Sequence, residues 1–108
     1  MIFWITGRAG SGKTTLAKKI AEQIDGVVLD GDEVRRENPD DFSPEGRERN
    51  QRRIVAMALE LWEHGVNVVI ACVSPDKALR RDLQSCLPEC IEIQMPFGTL
   101  WNGTQYEE

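Results

Sequence analysis

Gly7-Arg8-Ala9-Gly10-Ser11-Gly12-Lys13-Thr14 fits the pattern G-x-x-x-x-G-K-[ST] at every fixed position. Just before it, Ile2-Phe3-Trp4-Ile5 is a short apolar run that reads as a buried strand. Just after it, Thr15 to Ile24 carries Leu16, Ile20 and Ile24 at helical spacing. That strand–loop–helix setting is the context the motif requires. Glycines let the backbone wrap closely around an anion, so that consecutive N–H groups point at phosphate oxygens. The helix that starts within the loop adds its positive N-terminal end. Lys13 is placed to reach the outer phosphates and Thr14 to set its hydroxyl on Mg2+, and Thr15 completes the phosphate-binding set. This stretch predicts a nucleoside-triphosphate site.

At 108 residues, the chain predicts one domain spanning 1–108, small for an α/β nucleotide-binding fold. A net charge of −5 argues against a general nucleic-acid or anionic-membrane binder. No apolar run approaches membrane-spanning length. Met1 leads almost directly into a core strand, so no signal or transit peptide is expected ahead of the fold. Cys72, Cys86 and Cys90 are odd in number, and His64 is the single histidine, so no zinc site is completed. Three reduced thiols and a cytoplasmic location are expected.

Further along, Gly26 is expected to end the first helix, and Val27-Val28-Leu29 forms a second strand running into Asp30-Gly31-Asp32. Two carboxylates at the carboxyl end of a strand sit where α/β sheets place their ligands. A kinase of small molecules needs one carboxylate near the metal and another to orient or deprotonate the acceptor hydroxyl. The same residues also read as a turn and a helix cap. Residues 36–43 look like loop. Ser43-Pro44-Glu45 then opens a helix reaching His64 and stopping at Gly65, with Ile54-Ala58-Leu61 and Val55-Leu59-Trp62 as apolar rows. Its N-terminal half holds Arg47, Arg49, Arg52 and Arg53 around Asn50. Arginines there are able to grip an anion in bidentate fashion. Arg49 and Arg52 read better as surface partners of Glu45 and Glu48, whereas Arg47 and Asn50 share a face. Val66 to Val73 reads as a central parallel strand, followed by a Ser74-Pro75-Asp76 cap and a helix with Leu79, Leu83 and Leu87 as its buried row. Pro88 stops that helix, and Cys90 to Met95 alternates like a last strand.

Taken together, these pieces resemble the adenylylsulfate kinase family of P-loop kinases. Phe3-Trp4-Ile5-Thr6-Gly7 with the loop is similar to that family's opening. Leu29-Asp30-Gly31-Asp32-Glu33-Val34-Arg35 resembles its DGD-x-[VI]-R element. Phe42-Ser43-Pro44-Glu45-Gly46-Arg47-Glu48-Arg49-Asn50 resembles its FSPE-x-R-x-x-N run, and Val73-Ser74-Pro75 with Arg80 its IS-P…R segment. The resemblance covers roughly residues 2–95. It implies a three-layer α/β fold with a parallel sheet of about four strands in the order 2-3-1-4. It implies ATP and Mg2+ as cofactors, with Thr14 and Asp30 at the metal and Lys13, Asp32 and Asp30 as catalytic residues. It further implies that Arg35, Phe42, Arg47 and Asn50 hold the sulfonucleotide with Asp32 beside its hydroxyl, and that Ser74 lines the same side. The family continues past the Met95-Pro96 position with an Arg-bearing helix, a basic lid and an FTG segment. Here Trp101-Asn102-Gly103 is the segment similar to FTG, with Trp101 replacing the stacking Phe, and no Lys or Arg follows Arg81.

The expected activity is transfer of the γ-phosphoryl of ATP to a hydroxyl, that of adenylylsulfate by resemblance. Two alternatives are a kinase of another nucleotide or polynucleotide hydroxyl and a catalytically inactive nucleotide-binding protein. Without a basic lid, weaker ATP binding and slower turnover are expected. A sheet edge left open next to the first or last strand favours a homodimer.

Overall fold

The computed structural model describes residues 1–8 and 10–96, and Ala9 and the tail with Trp101 lie outside the described residues. Along the chain come β1 (Ile2–Thr6), α1 (Lys13–Ile24), β2 (Val27–Asp30), α2 (Gly31–Glu37), α3 (Pro44–Glu63), β3 (Val68–Cys72), α4 (Lys77–Ser85) and β4 (Cys90–Gln94). The strands form one parallel sheet in the order β2-β3-β1-β4. Thr6 pairs with Cys72 on one side and Gln94 on the other, and Asp30 with Ala71. All four carboxyl ends therefore reach the same rim, which is where an open α/β sheet binds ligands.

Burial explains the order of the strands. Every residue of β3 is buried, as an interior parallel strand flanked on both faces demands. β4 has no fully buried residue, only half-buried and exposed ones, and lies at an edge. Among the described residues the sheet edges are β2 and β4, so of the first or last strand expected at an open edge it is the last that lies there, while β1 is interior. One face of the sheet packs Ile5, Val69 and Ala71 against Ala17 and Ala21 of α1. The other packs Ile2, Trp4, Val68 and Ile70 against Val34, Ile54, Val55, Ala58 and Leu83 from the remaining helices. In α1 it is the two alanines that are buried, while Leu16, Ile20 and Ile24 flank them half-buried. Small side chains let the helix approach the sheet closely, and the larger ones close its margins.

Several local expectations change. The helix cap read as one possibility at Asp30-Gly31-Asp32 is present, since the Asp30 carboxylate accepts from the Asp32 and Glu33 amides, and the α2 it opens runs on through Arg36 and Glu37, which were read as loop. The left-handed residue ending α1 is Asp25 (φ 51°), not Gly26. Gly26 is required instead by close approach, since a Cβ there would lie 2.8 Å from the Asn67 carbonyl oxygen. The cap of α4 is Asp76, whose carboxylate accepts from the Leu79 amide at 3.0 Å, and Leu87 is buried beyond the helix end. Trp62, assigned to an apolar row, is 37% exposed. The cap of α3 is Ser43, with Pro44 at the first helical position. Among the described residues, no helix is long and apolar enough to cross a membrane. Cys72, Cys86 and Cys90 are all free thiols.

Candidate active site

The rim opens into a cavity of about 440 Å3, with the phosphate loop on one side and the arginines of α2 and α3 on the other. Among its lining residues are Gly10, Gly12, Lys13, Thr14 and Thr15 from the loop and the first turn of α1. A Cβ on Gly10 would meet nothing within 4 Å, so the loop backbone faces open space. Gly7 lies behind the loop, where an added Cβ would come within 2.9 Å of Met95 Cβ. The motif's first glycine thus allows the loop to pack against the end of β4. Gly7, Arg8 and Ser11 do not line the cavity, although the Arg8 carbonyl accepts from Lys13 Nζ at 2.9 Å. Burial lowers the Lys13 pKa, and the neighbouring Asp32 and Asp30 carboxylates act against that shift.

Thr14 and Asp30 meet from different elements. The Thr14 hydroxyl donates to Asp30 Oδ2 at 2.7 Å, while Asp30 Oδ1 caps α2. One carboxylate therefore ties the start of α1 to the end of β2. Among the described residues no group of three His, Cys, Asp or Glu side chains gathers to hold a metal. A hydroxyl and a carboxylate beside a phosphate loop nonetheless fit Mg2+, which takes one or two protein oxygens and completes its shell with water and substrate phosphates. Asp32, also in the cavity lining, is exposed in the first turn of α2.

The opposite wall carries Arg35, Arg47, Asn50 and Ser74. Asn50 is 4% exposed, and its amide donates to the Gly31 carbonyl at 3.2 Å. That bond fixes α3 against the start of α2. Phe42 is 61% exposed and does not line the cavity, but its ring lies 4.3 Å beneath the Arg35 guanidinium. Arg49 and Arg52 both form surface ion pairs, Arg52 with Glu48 as expected but Arg49 with Asp40 in place of Glu45. Arg49 donates through Nε and Nη2 to both oxygens of Asp40, and this pair holds the Asp40 carboxyl well below the usual range. Arg52 pairs with Glu48 at 3.1 Å.

Sequence reasoning overlooked Gln51 and Cys72, which also line the cavity. Gln51 is only 7% exposed, and among the described residues its buried Oε1 has no hydrogen-bond partner. Its place directly after Asn50 was the available signal. Burial pushes the Cys72 thiol up to about 12, and its sulfur lies 2.8 Å from the Ser74 hydroxyl. It therefore stays a neutral wall residue rather than a nucleophile.

Comparison with known proteins agrees with this fold. The family model described as adenylylsulphate kinase matches residues 1–101. An adenylyl-sulfate kinase from Synechococcus sp. (strain JA-3-3Ab) is 38% identical over 97 residues, covering 83% of this chain and 55% of that protein. A Mycobacterium tuberculosis APS kinase solved with AMPPNP and APS superposes with a TM-score of 0.79 at 28% identity, covering 88% of this chain and 61% of that one. A hexameric APS kinase from Thiobacillus denitrificans gives a TM-score of 0.77 at 31% identity, covering 86% of this chain and 21% of that one. The chain spans about half the length of the curated relatives it matches. A P-loop site on a parallel sheet, and a family model that matches nearly the whole chain, lead to one statement: this chain belongs to the adenylylsulfate kinase family.

Proposed function

We propose that this protein is a kinase moving the γ-phosphoryl group of ATP to the 3′-hydroxyl of adenylylsulfate. The observation that carries this reading is a cavity lined both by the phosphate loop and by Arg35, Arg47 and Asn50, with Asp32 also in its lining. Phosphoryl transfer needs positioning and charge stabilisation more than a protein nucleophile. The loop amides and Lys13 hold the triphosphate. Thr14 and Asp30 would hold Mg2+, which when bound neutralises charge on the phosphates. Asp32 orients the acceptor hydroxyl and takes its proton. Arg35 and Arg47 supply the cations that an anionic acceptor requires, and Phe42 steadies Arg35 from below.

The test is incubation with γ-labelled ATP·Mg2+ and a panel of acceptors: adenylylsulfate, adenosine 5′-phosphate and a polynucleotide with a 5′-hydroxyl end. Label is expected on adenylylsulfate. Label on the polynucleotide alone would reassign the acceptor, and ADP release with no labelled acceptor would reduce the protein to a nucleotide binder. Self-association through the open β4 edge belongs to the same proposal. Sedimentation at micromolar concentration is expected to show a homodimer, and a clean monomer would exclude it.

A further inference from the structure

The turn after β3 is held in an unusual conformation by a cation from the interior. Ser74 has φ 45°, in the left-handed region that non-glycine residues avoid. It is 2% exposed and contributes to the wall of the cavity. Three contacts fasten the turn. The Thr6 hydroxyl donates to the Val73 carbonyl at 2.7 Å, the Ser74 hydroxyl meets Cys72 Sγ at 2.8 Å, and Arg80 Nη1 donates to the Ser74 carbonyl at 2.6 Å. Arg80 is 1% exposed although it lies in α4, a helix rich in charged side chains. Its Nε donates to Glu92 Oε1 on β4 at 2.8 Å. Glu92 is further held by Gln84 and Gln94, each at 3.0 Å.

We propose that Arg80 is a positioning residue for the acceptor half of the site: anchored on Glu92, it fixes the strained Ser74 turn through the Ser74 carbonyl. This rests on the reading of that half of the cavity as the acceptor site. Two N–H directions are used at once, one to a carbonyl and one to a carboxylate. The planar guanidinium supplies both, whereas a lysine ammonium is a single point at the end of a flexible stem. A residue needed only for packing would lower stability without distinguishing the two ligands. A residue that sets the turn weakens acceptor binding and leaves the phosphate loop alone.

The experiment is a double-mutant cycle between Arg80→Lys and Ser74→Gly. It reads the Kd for adenylylsulfate in the presence of ADP·Mg2+, by calorimetry, and separately the Kd for ATP. Arg80→Lys is expected to weaken adenylylsulfate about 10-fold or more, the scale of a lost charge-assisted hydrogen bond, and to change ATP affinity by less than about twofold. Glycine enters the left-handed region without steric cost. In the Ser74→Gly background the same Arg80→Lys change is therefore expected to cost no more than about threefold. Equal losses in both backgrounds, or equal losses for ATP and adenylylsulfate, would overturn the proposal. If Arg80→Lys does not fold, Glu92→Gln takes its place in the cycle, since Glu92 lies on the edge strand with a 30% exposed side chain. Binding without phosphoryl transfer would sink the kinase reading and leave the cycle to decide Arg80. A wild-type protein that binds no adenylylsulfate would sink both.

Discussion

Lys13→Ala is expected to abolish productive ATP binding and to leave the fold intact. The Lys13 ammonium is half-buried and rests on the Arg8 carbonyl. Burial lowers its pKa, which records the cost of keeping that charge partly out of water. An arriving γ-phosphate offers a better partner than a neutral carbonyl, and the interaction strengthens as charge develops in transfer. Removing one such preorganised donor typically costs on the order of 10²–10³-fold in rate, and loss of ground-state binding adds to it. The substitution shortens a half-buried side chain and leaves the alanines that pack α1 onto the sheet in place. Its melting temperature should therefore stay near that of the wild type. ADP release from the variant at the wild-type rate would show that the nucleotide sits elsewhere.

The second large effect separates the paired carboxylates. Asp32→Asn is expected to slow phosphoryl transfer by about 10²–10⁴-fold, the range for loss of a general base. Among the described residues no side chain holds the Asp32 carboxylate, so its oxygens are available to an acceptor hydroxyl. Asp30 is already engaged, with one oxygen on the Asp32 amide and the other on Thr14. Asparagine caps helices as well as aspartate does, so Asp30→Asn should preserve α2. It removes the charge beside Thr14, and the expected result is a higher Mg2+ concentration for half-maximal rate with a smaller fall in the maximum. Full activity in both variants would leave the pair as a helix cap and nothing more.

The phosphate loop and its flanking strand and helix were legible because each has a local signature, whereas the sheet order 2-3-1-4 came from the family resemblance and agrees with the structure. A loop with fixed glycines and a following apolar period declares itself within about twenty residues. α2 did not, because a seven-residue helix has too few turns to display a period, and its cap is also the last residue of β2. Gly26 shows a different limit: glycine after a helix suggests a left-handed cap, and only the nearness of Asn67 reveals why it is glycine. Arg80 shows a third. An arginine in a polar helix reads as a surface residue, and its burial depends on Glu92, twelve residues away on β4. Long-range pairing of this kind leaves no periodic trace. Gln51 and Cys72 escaped notice because wall residues of a cavity are chosen by shape as well as chemistry.

The packing of Met95 against Gly7 has a consequence for motion. Met95 follows β4, and its amide donates to the Thr6 carbonyl at 2.8 Å, so the last strand is fastened at the base of the loop. Among the described residues β4 pairs with a neighbour on one side only, and edge strands of this kind open at low free-energy cost. For its end to peel away, the contact with Gly7 must break and the loop must lose its backing. A nucleotide that holds the loop in shape then disfavours the peeled state by mass action, by a factor that grows as one plus the ratio of its concentration to its Kd. Backbone amides from Ile91 to Met95 should therefore exchange with deuterium more slowly under saturating ATP·Mg2+, although none of them lines the nucleotide cavity. Unchanged exchange there would mean that strand and loop open independently. Slowed exchange would make the edge of the sheet a distant gauge of whether the site is filled.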